Sequence, residues 1–340
     1  MSLAVAAEDT TAPAASTRRR PMGPGTLGRY AVRRLLVSVL QVLAVAVVIF
    51  LLTSRLSGDA AVVIAGDDPD PAAIDRLRIQ LGLDQPVLVR LASWVGGVVQ
   101  GDLGASLVTG RPVVDVIAEG LPVTMTLAVV ALVLIVPLSL TLGVAAAQRE
   151  GGLLDRVVTT TTVGLYSLPE FALGIVLVTV FAVQLGWLPP TGIGADSNLL
   201  AQPALLVLPV IVLLSRPICS LARLIRAGMI DALRSEHVRH ARRVGIGETA
   251  VQLKHALPVA VAPAVQQLAR TTDWLVGGVI VIEAIFVLPG LGTALVDTIA
   301  ARDLPVVTGI GLLLAVSTVV LNLGADLLAR ILAPAAEVSR

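Results

Sequence analysis

The feature that most limits what this chain can become is a set of predominantly apolar stretches, several longer than 18 residues, with no charged side chain inside them. About 20 apolar residues carry an α-helix across a bilayer. Hydrocarbon offers no water to satisfy backbone N–H and C=O groups, so such a stretch closes its own hydrogen bonds as a helix. The apolar–polar alternation of a membrane β-strand does not occur in these runs. A buried soluble core is the competing reading, and composition weighs against it. Of 340 residues, 56% are hydrophobic and 14% charged, whereas soluble domains average about 45–50% apolar and about 25% charged. The expected fold class is an all-α membrane protein.

Six transmembrane helices are expected, at about 35–52, 124–147, 157–185, 205–224, 259–288 and 306–332. Arg29, Arg33 and Arg34 press against the start of the first, which places the N-terminus in the cytoplasm by the positive-inside rule. Residues 1–28, rich in Ala, Thr, Pro and Gly, read as a flexible cytoplasmic tail. A cleaved signal peptide is the alternative, but the run from Leu35 to Leu52 is long for a signal core and lacks a convincing cleavage site after it. Residues 53–120 carry nine acidic residues against five Arg, as suits a long extracytoplasmic loop. Within it, Ala72 to Leu81 reads as a short amphipathic helix, and Gly96, Gly97, Gly101 and Gly104 are expected to break regular structure.

Further along, Pro169 should kink the third span. Trp187 is expected at the outer interface, and Arg216 with Pro217 is expected to interrupt the fourth span. The sixth span returns the chain to the cytoplasm, with 333–340 as a second tail. Cys219 is the single cysteine, which excludes a disulfide within the chain.

The most informative segment lies in the basic loop 226–258. From Ser235 to Gly247 it holds Val238, Ala241 and Val244 at three-residue steps, charged residues on the other faces, and glycines at 245 and 247 to stop a helix. A short amphipathic helix of this kind lies in a membrane interface or docks into a partner's groove. A purely topogenic basic loop is the alternative, and physics alone leaves both open.

The segment resembles the EAA loop of ABC-importer permeases, in which a Gly is followed ten positions later by a variable residue and then Leu-Pro. Here Gly245 is followed by His255, Ala256, Leu257 and Pro258 at those positions. Arg239-His240-Ala241 stands where Glu-Ala-Ala would be, a departure usual in the oligopeptide/dipeptide/nickel branch. Other stretches are similar to that branch: 29–34 (RYAVRR), Ser57-Gly58-Asp59, Leu81 to Pro86, Gly101-Asp102-Leu103-Gly104-Ala105-Ser106, and Glu283-Ala284-Ile285-Phe286 followed by Pro289-Gly290-Leu291-Gly292. The ordered set covers about residues 29–332 and is specific where any one motif is weak.

The resemblance implies a permease domain over 29–332 and a cytoplasmic coupling helix between the fourth and fifth spans. Glu236, His237, Val238, Arg239, Ala241, Arg242, Gly245, Leu257 and Pro258 would be the ATPase-coupling residues. Glu283, Phe286, Pro289, Gly290 and Gly292 would be the family signature. It implies a bacterial inner-membrane subunit that works with a second permease chain (commonly a different one), two ATP-binding subunits and an extracytoplasmic substrate-binding protein, surrounded by membrane lipid and with no nucleic acid. The cargo would be a peptide, a nickel chelate, a glutathione-like molecule or a related small solute.

The residues bear on one part of this directly. A phosphate-binding loop needs Gly-Lys-Ser/Thr, and the only lysine, Lys254, sits in Val251-Gln252-Leu253-Lys254-His255. The chain is therefore expected to be non-catalytic and to bind no cofactor, with ATP and Mg²⁺ held by the partner subunits. No metal site is expected either: all three His (237, 240, 255) lie in the basic loop without zinc-like spacing. The alternative is a stand-alone secondary transporter or channel, which would not need the coupling segment and would favour inverted repeats.

Charged residues inside spans are the last candidates, since a charge at a helix centre costs about 2.5–3.5 kcal/mol on insertion scales. Arg270 and Asp273 share a helical face three residues apart, next to Trp274. They line a translocation pathway or form a self-neutralising packing pair, and the sequence leaves both open. For Glu170, beside Pro169, a place in the pathway and a place at the outer rim are both open.

Overall fold

Helix after helix follows in the computed structural model, which describes residues 24–54, 61–62, 70–80, 82–196 and 198–332, with side chains for all of these except 24–31, 269, 272–273 and 325–332. Residues 1–23, 333–340 and the motif at 57–59 lie outside the described residues. In chain order come α1 (Pro24–Ser54), α2 (Pro71–Gln80), α3 (Val87–Val99), α4 (Val113–Gln148), α5 (Leu153–Ser167) and α6 (Glu170–Leu177), the last continued by a π-helical turn, Val178–Gln184. Then follow α7 (Pro203–Arg234), α8 (Glu236–Arg243), α9 (Leu257–Phe286), α10 (Leu291–Ala300) and α11 (Leu304–Leu332). Among the described residues the only pairing of extended backbone is an isolated bridge between Ala105 and Pro112.

Four helices are long and apolar enough to cross a membrane: α1, α4, α7 and α11. The number rises to six if each of two bent pairs is one span. One is α5 with α6 and its π turn, bent by 107°; the other is the end of α9 with α10, bent by 71°. The first break is sharper than the expected kink. Pro169 is extended (φ −61°, ψ 141°) and starts a new helix rather than bending an old one, because proline lacks the N–H that would continue α5. Pro217 behaves oppositely: α7 runs through it and through Pro209 without interruption. A proline removes only one ladder bond, and α7 is packed on most sides, so tertiary contacts hold the helix together.

Three helices outrun their expected limits by several residues, the first being α1, which begins at Pro24 inside the stretch read as a flexible tail. α4 begins at Val113, inside the stretch read as outer loop, and α7 continues to Arg234, inside the stretch read as basic loop. Gly96 and Gly97 do not break structure. α3 runs through both, since a helix tolerates glycine at about 1 kcal/mol. Gly101 and Gly104 do break it, with φ of +83° and +84°.

The centre of the bundle is α4, α7 and α9, and small residues bring them together. A β-carbon on Gly143 would stand 2.8 Å from the Ala222 carbonyl oxygen and from Ile225, and one on Gly228 would stand 2.7 Å from the Ala260 carbonyl oxygen. Lipid tails are as apolar as Leu, so close backbone approach of this kind carries much of helix association in a membrane. Leu127, Ile135, Leu213, Met229, Val279 and Ile282 fill the layer between. α1 lies outside against α11 and leaves Leu36, Leu40 and Val48 exposed, as a lipid-facing or partner-facing helix does.

Candidate functional site

α8 is a helix of 8 residues, about two turns, mounted at the end of the bundle, and its sequence explains both its ends. Ser235 is extended (φ −70°, ψ 155°) and ends α7; its carbonyl then accepts from the Arg239 N–H at 3.1 Å. At the other end Gly245 adopts φ +82°. Its N–H donates to the Arg242 carbonyl at 3.1 Å and the Ile246 N–H donates to the Ala241 carbonyl at 3.2 Å. This bond pair is the Schellman closure, in which only glycine takes the left-handed position without strain. Gly247 then begins a short turn, Glu248–Ala250, which passes through a π-helical stretch, Val251–Ala256, into α9 with Leu257-Pro258 as its first residues.

The helix divides into two faces. Val238 and Ala241 are buried in the main core beside Val251, Ala256, Met229 and Ala232, so they anchor the helix and cannot touch another chain. Val244, expected on the same face, lies past the last turn and is exposed. Glu236, His237, Arg239, His240, Arg242 and Arg243 are exposed. Leu257 is half-buried against the core and Pro258 exposed.

Polar fasteners, most of them unforeseen from the sequence, tie this platform to α4 and α7 and brace α7 against the start of α5. Arg242 donates to both oxygens of Glu248, at 3.0 and 2.7 Å, and Nη1 reaches the Leu233 carbonyl at 3.5 Å. Gln252 donates to Glu248 at 3.1 Å and accepts from Gln148, at the end of α4, at 2.8 Å. Arg234 spans both oxygens of Glu150 at 2.8 Å. Arg226 pairs with buried Asp155 through Nε and, at 2.7 Å, through Nη2. The Arg242 guanidinium holds the Glu248 carboxyl below its ordinary value, helped by Gln252, and Glu248 in turn raises Arg242. Arg239 is occupied by Glu236. His240 and Arg243 make no side-chain hydrogen bond or ion pair among the described residues.

The signature residues form a second constellation at the far end of α9. Val287 is left-handed (φ 51°) and stops the helix. The chain folds back so that Glu283, fully buried, accepts from the Gly292 N–H at 2.6 Å, while the Leu291 N–H donates to Thr124 Oγ1 at 3.0 Å. These are the first two N–H groups of α10, so Glu283 and Thr124 cap that helix from two other elements. A β-carbon on Gly290 would collide with the Glu283 carboxyl, and one on Gly292 with the Ile280 backbone. Phe286 is buried and its carbonyl accepts from the Gly192 N–H at 2.8 Å; Pro289 is exposed. The spacing from Glu283 to Gly292 is thus the spacing of a capped turn.

A third motif, Gly101 to Ser106, is also a built turn. Asp102 accepts from the Gly104 N–H at 2.8 Å, Ser106 hydrogen-bonds buried Asp303, and the Leu107 N–H reaches the same carboxylate at 3.0 Å. The outer segment is thereby latched to the start of α11.

The suspected pathway residues are less gathered. Arg270 is exposed on α9, and Trp274 is half-buried and packs on the main core. The side chain of Asp273 lies outside the described residues. Glu170 sits against Arg216, 3.4 Å from Nη1.

A bundle of apolar helices with a charged helix fastened to its end has the architecture of an integral membrane protein. Residues 139–338 match the family described as binding-protein-dependent transport system inner membrane component, and residues 27–128 match the N-terminal region of such membrane components. The chain belongs to this family, the permeases of ABC importers. It is 39% identical over 306 residues to the glutathione transport system permease protein GsiC of Escherichia coli O6:H1, covering 90% of this chain and 98% of that one. It is 38% identical over 303 residues to a Brucella abortus protein provisionally named as a peptide transport system permease, covering 89% and 96%.

Proposed function

We propose that this chain pairs with a second permease chain to form the translocation pathway of an ABC importer for peptides or a glutathione-like solute. A substrate-binding protein delivers the solute from outside, and two separate ATPase subunits drive the cycle. The bent pairs each count as one span in this reading, which gives six spans with both termini in the cytoplasm. α8 seats in a groove of an ATPase subunit.

The observation that carries the reading is the two-faced construction of α8. Val238 and Ala241 fix it to the core, while fasteners to α4 and α7 and the continuous run of chain into α9 make it a braced lever instead of a loose loop. A force applied to its outer face therefore reaches three long helices. His240 and Arg243, which have no work inside the chain among the described residues, are the side chains best placed to meet a partner. Arg242 is not, because Glu248 occupies it.

The test is co-purification of an ATP-hydrolysing subunit with the tagged chain from membranes. His240→Glu with Arg243→Glu should abolish it while the chain still inserts and accumulates. Retention of the ATPase by this double variant, with ATP-driven uptake intact, refutes the docking role of α8.

A further inference from the structure

Resting on the importer reading above, we infer that Arg216 and Arg223 of α7, with Tyr166 and Glu170 across the break between α5 and α6, form a binding site for a carboxylate of the solute inside the membrane.

Depth comes first. Asp155 and Arg226 pair near the cytoplasmic ends of α5 and α7. Arg216 lies ten residues further up α7 (226 − 216), about 15 Å at 1.5 Å per residue, roughly half of a hydrocarbon core about 30 Å thick. α7 and α9 cross with Gly228 against Ala260. Twelve residues along each, in opposite directions, bring Arg216 level with 272 (228 − 12 and 260 + 12), and so with exposed Arg270. Charged groups at this depth face a bundle interior or a water-filled path, and they mark substrate routes by default.

The geometry then says what kind of ligand fits. The Arg216 guanidinium carbon stands 5.2 Å from the Tyr166 ring centroid and that of Arg223 stands 4.8 Å from it. One aromatic ring thus holds two guanidinium groups, both within cation–π range. Arg223 spends Nε on the Cys219 carbonyl at 3.1 Å, and Arg216 has only the long 3.4 Å contact with Glu170. The group carries two positive charges against one negative, and most of its guanidinium donors stay open. Arg216 (44%) and Tyr166 (40%) are substantially exposed, although both sit on helices of the bundle. The guanidinium fork matches a carboxylate in two parallel hydrogen bonds. Glu170 keeps Arg216 oriented in the empty state and gives way to the incoming carboxylate. The broken helix supplies the room, as interrupted helices do in other transporters.

The test uses the chain expressed with its partner subunits in membranes, Cys219 replaced by Ala, and Glu170→Cys as reporter thiol beside Arg216. The probes are a sulfonate-bearing and an ammonium-bearing methanethiosulfonate, each scaled to its rate with free cysteine. A cationic, water-filled site makes the sulfonate reagent faster by about tenfold or more, the range that a cleft of one charge sign produces. Arg216→Gln with Arg223→Gln should erase that preference, and Arg216→Lys should keep most of it. Trialanine at millimolar concentration should slow modification, and trialanine amide, which lacks the free carboxylate, should not. Equal rates for the two reagents, or a preference indifferent to both arginines, overturn the site. So does a thiol shielded from both reagents in the assembled importer, which would mean that a helix of the second permease covers the pair. Loss of the co-purified ATPase refutes the importer reading and leaves the anion site standing on its own result.

Discussion

The two ends of α9 are built on opposite principles. At its N-terminal end α8 is held by side chains that remain in contact with water: Arg242 with Glu248, Arg234 with Glu150, Gln148 with Gln252. At its C-terminal end the signature turn is held by a fully buried carboxyl and by glycines with no space beside them. Exposed pairs are worth about 0–1 kcal/mol each, whereas an unmade bond to a buried group costs about 1–3 kcal/mol. The polar fasteners at one end can therefore be lost singly at little cost, with Val238 and Ala241 still anchoring α8 in the core, whereas no contact at the other end can. That asymmetry suits a subunit that takes force at one face and must keep the opposite end of the same helix in fixed register.

The largest effect should come from filling the rigid end. Gly292→Ala places a methyl group in the Ile280 backbone, which cannot step aside. We expect a loss of about 1–3 kcal/mol, seen as a lower thermal midpoint of the purified chain in detergent. Gly277→Ala, on the neighbouring α9 with open space around it, is the control and should be neutral or slightly stabilising. Equal midpoints for both variants would remove the claim that this turn is close-packed.

Next is the capping carboxyl. Glu283→Ala leaves the Gly292 N–H buried without an acceptor and should cost about 1–3 kcal/mol. Glu283→Gln keeps an oxygen at that position and should cost less than half as much. If the two variants are equally unstable in denaturant titration, charge rather than the hydrogen bond is what the site needs.

Much of this was legible in the sequence, and the residues show why. Gly245 was readable as a helix stop because a left-handed closure is a local demand with one good solution. The break at Pro169 was readable for the same kind of reason, though its depth was not, since a proline at 217 is simply carried through by the packing around α7. The fasteners were not readable. Gln148 and Gln252 are 104 residues apart and Ser106 and Asp303 are 197 apart, and nothing local marks either partner. The extension of α7 to Arg234 was missed because a charged helical end outside a bilayer has the composition of a loop. The signature from Glu283 to Gly292 was recognisable as a motif, but its physical content, a cap for α10 shared with Thr124 of α4, needed the fold.

A smaller effect on stability, but a clear one on coupling, is expected at Gly245. Valine there must adopt φ +82°, at about 1–2 kcal/mol of local strain. The closure is exposed, so the platform should yield before the bundle does. Gly245→Val should lower co-purified ATPase and ATP-driven uptake while the thermal midpoint moves little. Gly245→Asn, which tolerates the left-handed region, should restore most of the loss. A collapse of the midpoint with Gly245→Val would mean that this end is as rigid as the other.

The smallest effect belongs to the Arg242–Glu248 pair. Glu248→Gln should cost no more than about 1 kcal/mol at neutral pH, because both side chains are substantially exposed. The pH dependence fixes the sign. Folding depresses the Glu248 carboxyl from its ordinary value of 4.5, so the pair stabilises the fold fully above that value. The contribution is lost as the pH falls through the lower folded value. Above pH 6 the wild-type chain should therefore exceed Glu248→Gln by a constant small margin, and below pH 4.5 the margin should shrink toward zero. High salt should narrow it at neutral pH as well, since exposed pairs are screened. A margin that survives both acid and salt would place Glu248 among the rigid contacts, and the contrast between the two ends of α9 would then rest on glycine packing alone.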